Sequence, residues 1–267
     1  MIDNIILKTF LSMILTGIEC GLVGVFIFLL NIPFIGVAIS HSAMAGGIWG
    51  ILLGLPSKLT AFVLSLITSF FVGPIADKSK INPNISLSII FSLVMGLAFL
   101  GVGIMQDNKT TILSFLWGNI FLIDKFDLFL ILGLLIILVL IIVICFKEFI
   151  AILFNREIAA SVGINDKLFY YILLFLIGGV ITVNLNTIGG LMLFSLIITP
   201  PAIAYQLTFN LKTFFILSAS FGVIGGCGGL LFSFLLNLPV SASVVIFTSL
   251  LFIIVMLLSP KSKKYES

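Results

Sequence analysis

Long uncharged runs alternate along this chain with short segments that hold the charges and helix breakers. No Asp, Glu, Lys or Arg occurs from Cys20 to Ser57, from Leu168 to Leu211, or from Thr213 to Pro260. A helix needs ~20 apolar residues to cross the ~30 Å hydrocarbon core, so each run is long enough for two crossings. The apolar positions are continuous rather than alternating, which argues against a lipid-facing β-barrel. Breakers and charges predict nine apolar spans, over residues 5–30, 34–54, 59–76, 85–105, 126–146, 168–184, 188–206, 212–236 and 240–258. Pro33, Pro56, Pro83, Pro200–Pro201 and Pro239 are expected at or near turns, because proline lacks an amide donor and disfavours helix before it. Residues 112–121 are too short to cross, contain Gly118 and Asn119, and read as a partial or re-entrant helix packed against protein. The pattern predicts an all-α, polytopic transmembrane helical bundle, with residues 1–267 as one membrane domain. An eight-span version follows if one segment only dips into the bilayer.

Composition sharpens this reading. Of 267 residues, 61% are hydrophobic and 9% are charged, against ~25% charged in an average soluble domain. A soluble enzyme of this size has no way to hide so much apolar surface, and disorder requires low hydrophobicity and high net charge. No P-loop sequence is present, so no nucleotide site of that kind is expected on this chain. The net charge of +3 gives no indication of nucleic-acid binding. Cys20, Cys145 and Cys227 are odd in number, far apart and set in or beside apolar runs, as packing residues would be. Asp3 stands where a signal peptide would be basic, so the first apolar run reads as a retained span.

Lysine and arginine set the expected orientation. With residues 147–167 cytoplasmic, that side holds Lys78, Lys80, Lys147, Arg156, Lys167, Lys212, Lys261, Lys263 and Lys264. The other side holds Lys8, Lys58, Lys109 and Lys125. The asymmetry places the N-terminus outside and the C-terminus inside; the eight-span version would bring the N-terminus in.

Two ionisable residues lie deep in spans. His41, the sole histidine, is a candidate metal or proton site, or else a neutral imidazole bonded within the bundle. A charged group at that depth costs ~2.5–3.5 kcal/mol on insertion scales, so it should face protein or a water-filled path. Glu19 lies ~17–19 Å before a turn at residues 31–33 and His41 ~12–14 Å after it, at 1.5 Å per residue. An antiparallel hairpin would bring the two to similar depth, where a carboxylate and an imidazole suit a divalent cation. The alternative is a Glu19 hydrogen-bonded to neighbouring helices. Gly46, Gly50 and Gly54 share one face of the second span, and Gly222–Gly226 and Gly225–Gly229 repeat the spacing. Such faces let helix backbones approach closely in lipid. Gly46, Gly50, Pro200 and Pro201 are the packing and gating candidates.

The segment 154–164 reads as a short helix on the cytoplasmic side. Asn155 suits its start, Glu157 its first turn and Gly163 its end. Ile158, Ala159 and Val162 are expected to line one face, for a membrane surface or a partner's groove.

Three stretches, in order, resemble the permease subunits of metal-ion ABC importers (the ABC-3 family), which take up zinc, manganese or iron(II). Phe34-Ile35-Gly36-Val37-Ala38-Ile39-Ser40-His41-Ser42-Ala43-Met44-Ala45-Gly46 is similar to the family's G-D-A-L-S-H-A-x-x-x-G. Asn155 to Ile164 is similar to D-P-E-x-A-x-x-x-G-I, the family's coupling helix. Ile188-Gly189-Gly190-Leu191 through Pro200-Pro201-Ala202-Ile203-Ala204 is similar to V-G-x-L-L followed by P-A-x-x-A, and Ser233 to Ala242 resembles the stretch before the family's last span.

The resemblance implies a non-enzymatic, multi-pass permease in a prokaryotic inner (cytoplasmic) membrane, moving a divalent metal ion inward as cargo with no permanently bound cofactor. It implies a homodimer in membrane lipid, two ATPase subunits that hold the ATP, an extracytoplasmic metal-binding protein, and no nucleic acid. His41 carries over as a pathway residue; Asn155, Arg156, Glu157, Ala159 and Gly163 carry over as coupling residues. Two positions depart from the pattern. Val37 stands where the family has an Asp four residues before the histidine, leaving Glu19 as the candidate substitute, and Arg156 stands where the family has Pro. A stand-alone ion-coupled secondary transporter is the alternative. It would call for more intramembrane acids and for inverted repeats. An intramembrane metalloprotease lacks its H-E-x-x-H.

Overall fold

The structure is a computed structural model that describes residues 2–79, 82–104 and 120–259. Residues 112–119 of the expected re-entrant segment lie outside the described residues, as do Lys80, Lys109, Lys261, Lys263 and Lys264 of the charge tally. In chain order the helices are α1 (Ile2–Leu29), α2 (Ile35–Leu52), α3 (Ser57–Ser79) and α4 (Pro83–Ile104). A 3-10 turn (Ile120–Leu122) leads to α5 (Lys125–Ile144), α6 (Phe146–Phe154) and α7 (Arg156–Ser161). Then come α8 (Asp166–Ile188), α9 (Gly190–Leu207), α10 (Leu211–Leu236) and α11 (Val240–Leu258). Among the described residues nine helices, α1–α5 and α8–α11, are long and apolar enough to cross a membrane. They coincide with the nine spans that the hydrophobic pattern predicts.

The breaks are chemically explicit. Asn31 (φ 54°) and Pro33 separate α1 from α2, and Gly54 (φ 68°) with Pro56 separates α2 from α3. Pro83 opens α4, at the first helical position where its missing N–H costs nothing. Asn165 and Asn210 cap α8 and α10: Asn165 Oδ1 accepts from Leu168 N at 3.1 Å, and Asn210 Oδ1 from Lys212 N at 2.9 Å. Asn237 takes a left-handed conformation (φ 53°) after α10, one that asparagine tolerates better than most residues.

Two proline positions differ from the expectation. Pro200 and Pro201 lie inside α9, not at a turn, and both are buried. Pro201 has no N–H for Ile197 O, one turn back. That freed carbonyl faces α1 at Gly24, where a β-carbon would come within 2.1 Å of it. A glycine opposite a proline break lets the backbones close up, and neighbouring helices make such breaks tolerable in lipid.

The helices form two packed groups. α1 joins α9, α10 and α11, while α2 joins α3 and α4. α8 runs between them and touches members of both. The expected α1–α2 hairpin is therefore opened out, because α2 turns away to pack on α3 and α4. The most buried spans are α2 (72% of its apolar window) and α1 and α8 (67% each). α5, α11 and α4 show most of their surface. The glycine faces do what their spacing predicts. A β-carbon on Gly222 would lie 2.0 Å from Gly17 O, and one on Gly46 would lie 2.5 Å from Thr60 O. Gly50 meets the Thr60 hydroxyl. Gly54 departs from the expected face: nothing lies within 4 Å of it, and it serves the turn.

Candidate permeation site and coupling helix

Among the buried polar side chains, the three most buried spans carry Glu19 on α1, Ser40 and Ser42 on α2, and Thr182, Asn184 and Thr187 on α8. On α1, Thr9, Ser12, Thr16 and Glu19 recur every three or four residues, which places them on one face. All four are buried, Glu19 completely. Thr9 Oγ1 donates to Ile5 O at 2.9 Å and Ser12 Oγ to Thr9 O at 2.9 Å, so those hydroxyls are satisfied within the helix. Thr16 and Glu19 instead reach α8. Asn184 donates from Nδ2 to Glu19 Oε2 at 2.6 Å and to Val180 O at 2.9 Å. Its Oδ1 accepts from Thr16 Oγ1 at 2.5 Å. Both amide hydrogens are used, which fixes the amide plane and with it one oxygen of the carboxylate. Glu19 Oε1 has no hydrogen-bond partner and no solvent. Burying a carboxyl oxygen unpaired is costly, and Oε1 is one of the few buried side-chain oxygens among the described residues left open to a ligand.

His41 sits half-buried on α2. Its Nδ1 lies 2.9 Å from Val37 O, one turn earlier. An Nδ1–H donated to that carbonyl leaves the lone pair on Nε2, the arrangement usual for a metal-binding histidine. Val37 lacks the carboxylate of the family pattern but still orients the imidazole through its backbone. Phe91 on α4 meets the ring edge-on, with centroids 5.1 Å apart. Ser40, the preceding residue, is buried with an unpartnered hydroxyl. It lies against the corner between α8 and α9, where a β-carbon on Gly190 would be 3.8 Å from Ser40 Cβ. No hydrogen bond or ion pair joins Glu19 to His41: Asn184 holds the first, and Val37 O and Phe91 hold the second. Among the described residues no three His, Cys, Asp or Glu side chains cluster into a metal cage. Asn184 was missed by sequence reasoning. Its signal was a primary amide in the charge-free run 168–211, with nothing in the sequence to name its partner.

The short helix over 154–164 is capped at both ends as its residues predict. Asn155 Oδ1 accepts from Glu157 N at 2.8 Å and from Ile158 N at 3.1 Å. At the other end Gly163 has φ 88°, Gly163 N donates to Ala160 O at 3.1 Å, and Ile164 N donates to Ala159 O at 3.1 Å. These two bonds are the Schellman arrangement, which needs a left-handed residue at the glycine position. The face differs from expectation. Ala159 turns inward and is buried, while Ile158 and Val162 are exposed together with Phe154. Arg156 ties the helix to the foot of α8. Its guanidinium lies 3.0 Å from Asp166 Oδ2 and 4.2 Å from the centroid of the Tyr170 ring.

Comparison with known proteins places this arrangement. The manganese transport system membrane protein MntC of Halalkalibacterium halodurans is 30% identical over 248 residues, covering 93% of this chain and 85% of that protein. The manganese import system permease protein ScaB of Streptococcus parasanguinis is 28% identical, covering 95% and 90%. The solved structure of PsaBC from Streptococcus pneumoniae in complex with a Fab superposes with a TM-score of 0.84 at 27% identity, over 100% of both chains. An inward-facing metal-chelate type ABC transporter shares the fold, with a TM-score of 0.76 at 16% identity. Residues 2–259 match the model of the ABC 3 transport family, and this chain belongs to that family.

Proposed function

We propose that the chain is the permease subunit of an ATP-driven importer that carries a divalent metal ion, manganese foremost, into the cytoplasm. The observation that carries this reading is likeness to manganese transport permeases over more than nine-tenths of the chain, joined to a carboxyl oxygen and an imidazole nitrogen left open in the two spans that α8 touches. A dehydrated divalent ion in a low-dielectric path needs a neutralising carboxylate, the ligand type that suits manganese, while imidazole adds a nitrogen that also suits iron or zinc. Glu19 supplies the charge that Val37 does not, and His41 supplies the nitrogen. Two copies related by symmetry form the pathway, the usual solution for such assemblies. Ile158 and Val162 meet an ATPase on each copy, and an extracytoplasmic binding protein delivers the ion. Orientation follows the lysine and arginine asymmetry, with α7 in the cytoplasm.

Elemental analysis tests the cargo. Cells that lack the chain, starved in turn for manganese, zinc and iron, are compared with complemented cells. A deficit confined to manganese is expected. A deficit in zinc or iron alone would reassign the cargo, and normal contents of all three would end the metal-import reading.

A further inference from the structure

We propose that the groove between α3, α5 and α8 is a binding site for one aminophospholipid, with an acyl chain in the groove and the zwitterionic headgroup on Lys58 and Asp127. The groove has a volume of about 660 Å³, inside the ~300–1,000 Å³ range of small-molecule sites. Its walls are Leu59, Phe62 and Leu66 of α3, Phe129 and Leu130 of α5, and Phe175 of α8. Along α5 it runs from Phe126 to Ile137, ~16 Å at 1.5 Å per residue. That is about half of the ~30 Å hydrocarbon core, the depth of one leaflet. Two glycines hollow it. Nothing lies within 4 Å of where a β-carbon of Gly133 would be, and Gly179 faces only Leu134 Cδ1, at 3.7 Å. Elsewhere in this chain paired glycines bring helices into contact; here they leave α5 standing off from α3. An apolar hollow facing lipid gains dispersion contacts only when hydrocarbon fills it.

Charge at the mouth selects the headgroup. Lys58 Nζ lies 3.6 Å from Asp127 Oδ1, with the lysine side chain 68% exposed and the aspartate 17%. Asp127 is held at the start of α5 by accepting Asp124 N at 3.3 Å. With its lysine end in solvent and a 3.6 Å separation the pair contributes little stability, so Lys58 is free to exchange Asp127 for a ligand's charge. A phosphate suits Lys58 and a primary ammonium suits Asp127, which together describe phosphatidylethanolamine better than a purely anionic lipid.

Native mass spectrometry of the full-length protein, purified in mild detergent and titrated with phosphatidylethanolamine or phosphatidylglycerol, tests the site. Tight retention of phosphatidylethanolamine over phosphatidylglycerol is expected. Gly133→Phe fills open space and should lower that retention by roughly tenfold, corresponding to ~1.4 kcal/mol, with an unchanged melting temperature. Lys58→Gln, at an exposed position that does not threaten folding, should erase the preference between the two lipids. Undiminished retention in Gly133→Phe, or an undiminished preference in Lys58→Gln, overturns the proposal. So does Gly133→Cys cross-linking two chains, because a second copy would then occupy the groove.

Discussion

Asn184 of α8 and Glu19 of α1 are joined by a 2.6 Å hydrogen bond inside the bundle, and the same amide accepts from Thr16 at 2.5 Å. One side chain therefore orders two polar groups of the neighbouring span. Asn184→Leu keeps the approximate volume and strands both groups. Each buried polar group left unpaired costs ~1–3 kcal/mol, so a clear fall in melting temperature is expected along with lost uptake. Asn184→Gln should recover part of the stability and little of the uptake, because its longer arm moves the carboxylate. Wild-type stability in Asn184→Leu would show that the bond does not form.

Glu19 and His41 are expected to matter through different chemistry. In Glu19→Gln the hydrogen bond from Asn184 survives and the charge is lost. Metal uptake should fall nearly as far as in His41→Ala, with expression and ATPase association intact. Uptake by Glu19→Gln at the parental rate would remove the carboxylate from the pathway and leave His41 as a solitary gate residue.

The glycines predict effects of opposite sign. A methyl group at Gly222 would lie 2.0 Å from Gly17 O, a backbone atom with nowhere to go. Gly222→Ala should force α1 and α10 apart at a cost of ~1–3 kcal/mol. Gly133→Ala meets nothing within 4 Å and should leave stability equal or raise it by ~0.4–1 kcal/mol through the unfolded chain. Thermal unfolding of both variants in the same detergent reads the contrast.

The nine apolar helices and the short helix α7 were legible because their signals are local. Uncharged runs mark the helices, and Asn155 with Gly163 marks a start and a stop. What was illegible depends on which helices meet. Hairpin arithmetic put Glu19 and His41 at similar depth by assuming that consecutive spans pack together. In fact α2 turns to α3 and α4, and α8 enters between the two groups. The partner of Glu19 thus lies far along the chain, at Asn184. Pro200 and Pro201 misled in the same way, since their break sits inside a packed helix with Gly24 of a distant span closing on Ile197 O. Ala159 was assigned to the outer face of α7 because six residues carry too little periodicity to separate its two sides.

That reassignment changes the test of coupling. Ala159 is buried against its own chain, so a bulky residue there disturbs the membrane domain before it reaches a partner. Ile158 and Val162 are 52% and 68% exposed and are apolar side chains of this segment open to the proposed ATPase contact. Ile158→Asp should abolish co-purification of the ATPase or uncouple ATP hydrolysis from uptake, while the permease keeps its melting temperature. Gly163→Val acts differently: its φ of 88° costs a β-branched residue ~1–2 kcal/mol, which loosens the end of α7 without touching the exposed pair. It should weaken coupling by less than Ile158→Asp does. Full coupling in Ile158→Asp, measured as metal uptake per ATP hydrolysed in reconstituted vesicles, would mean that the ATPase docks elsewhere on this face.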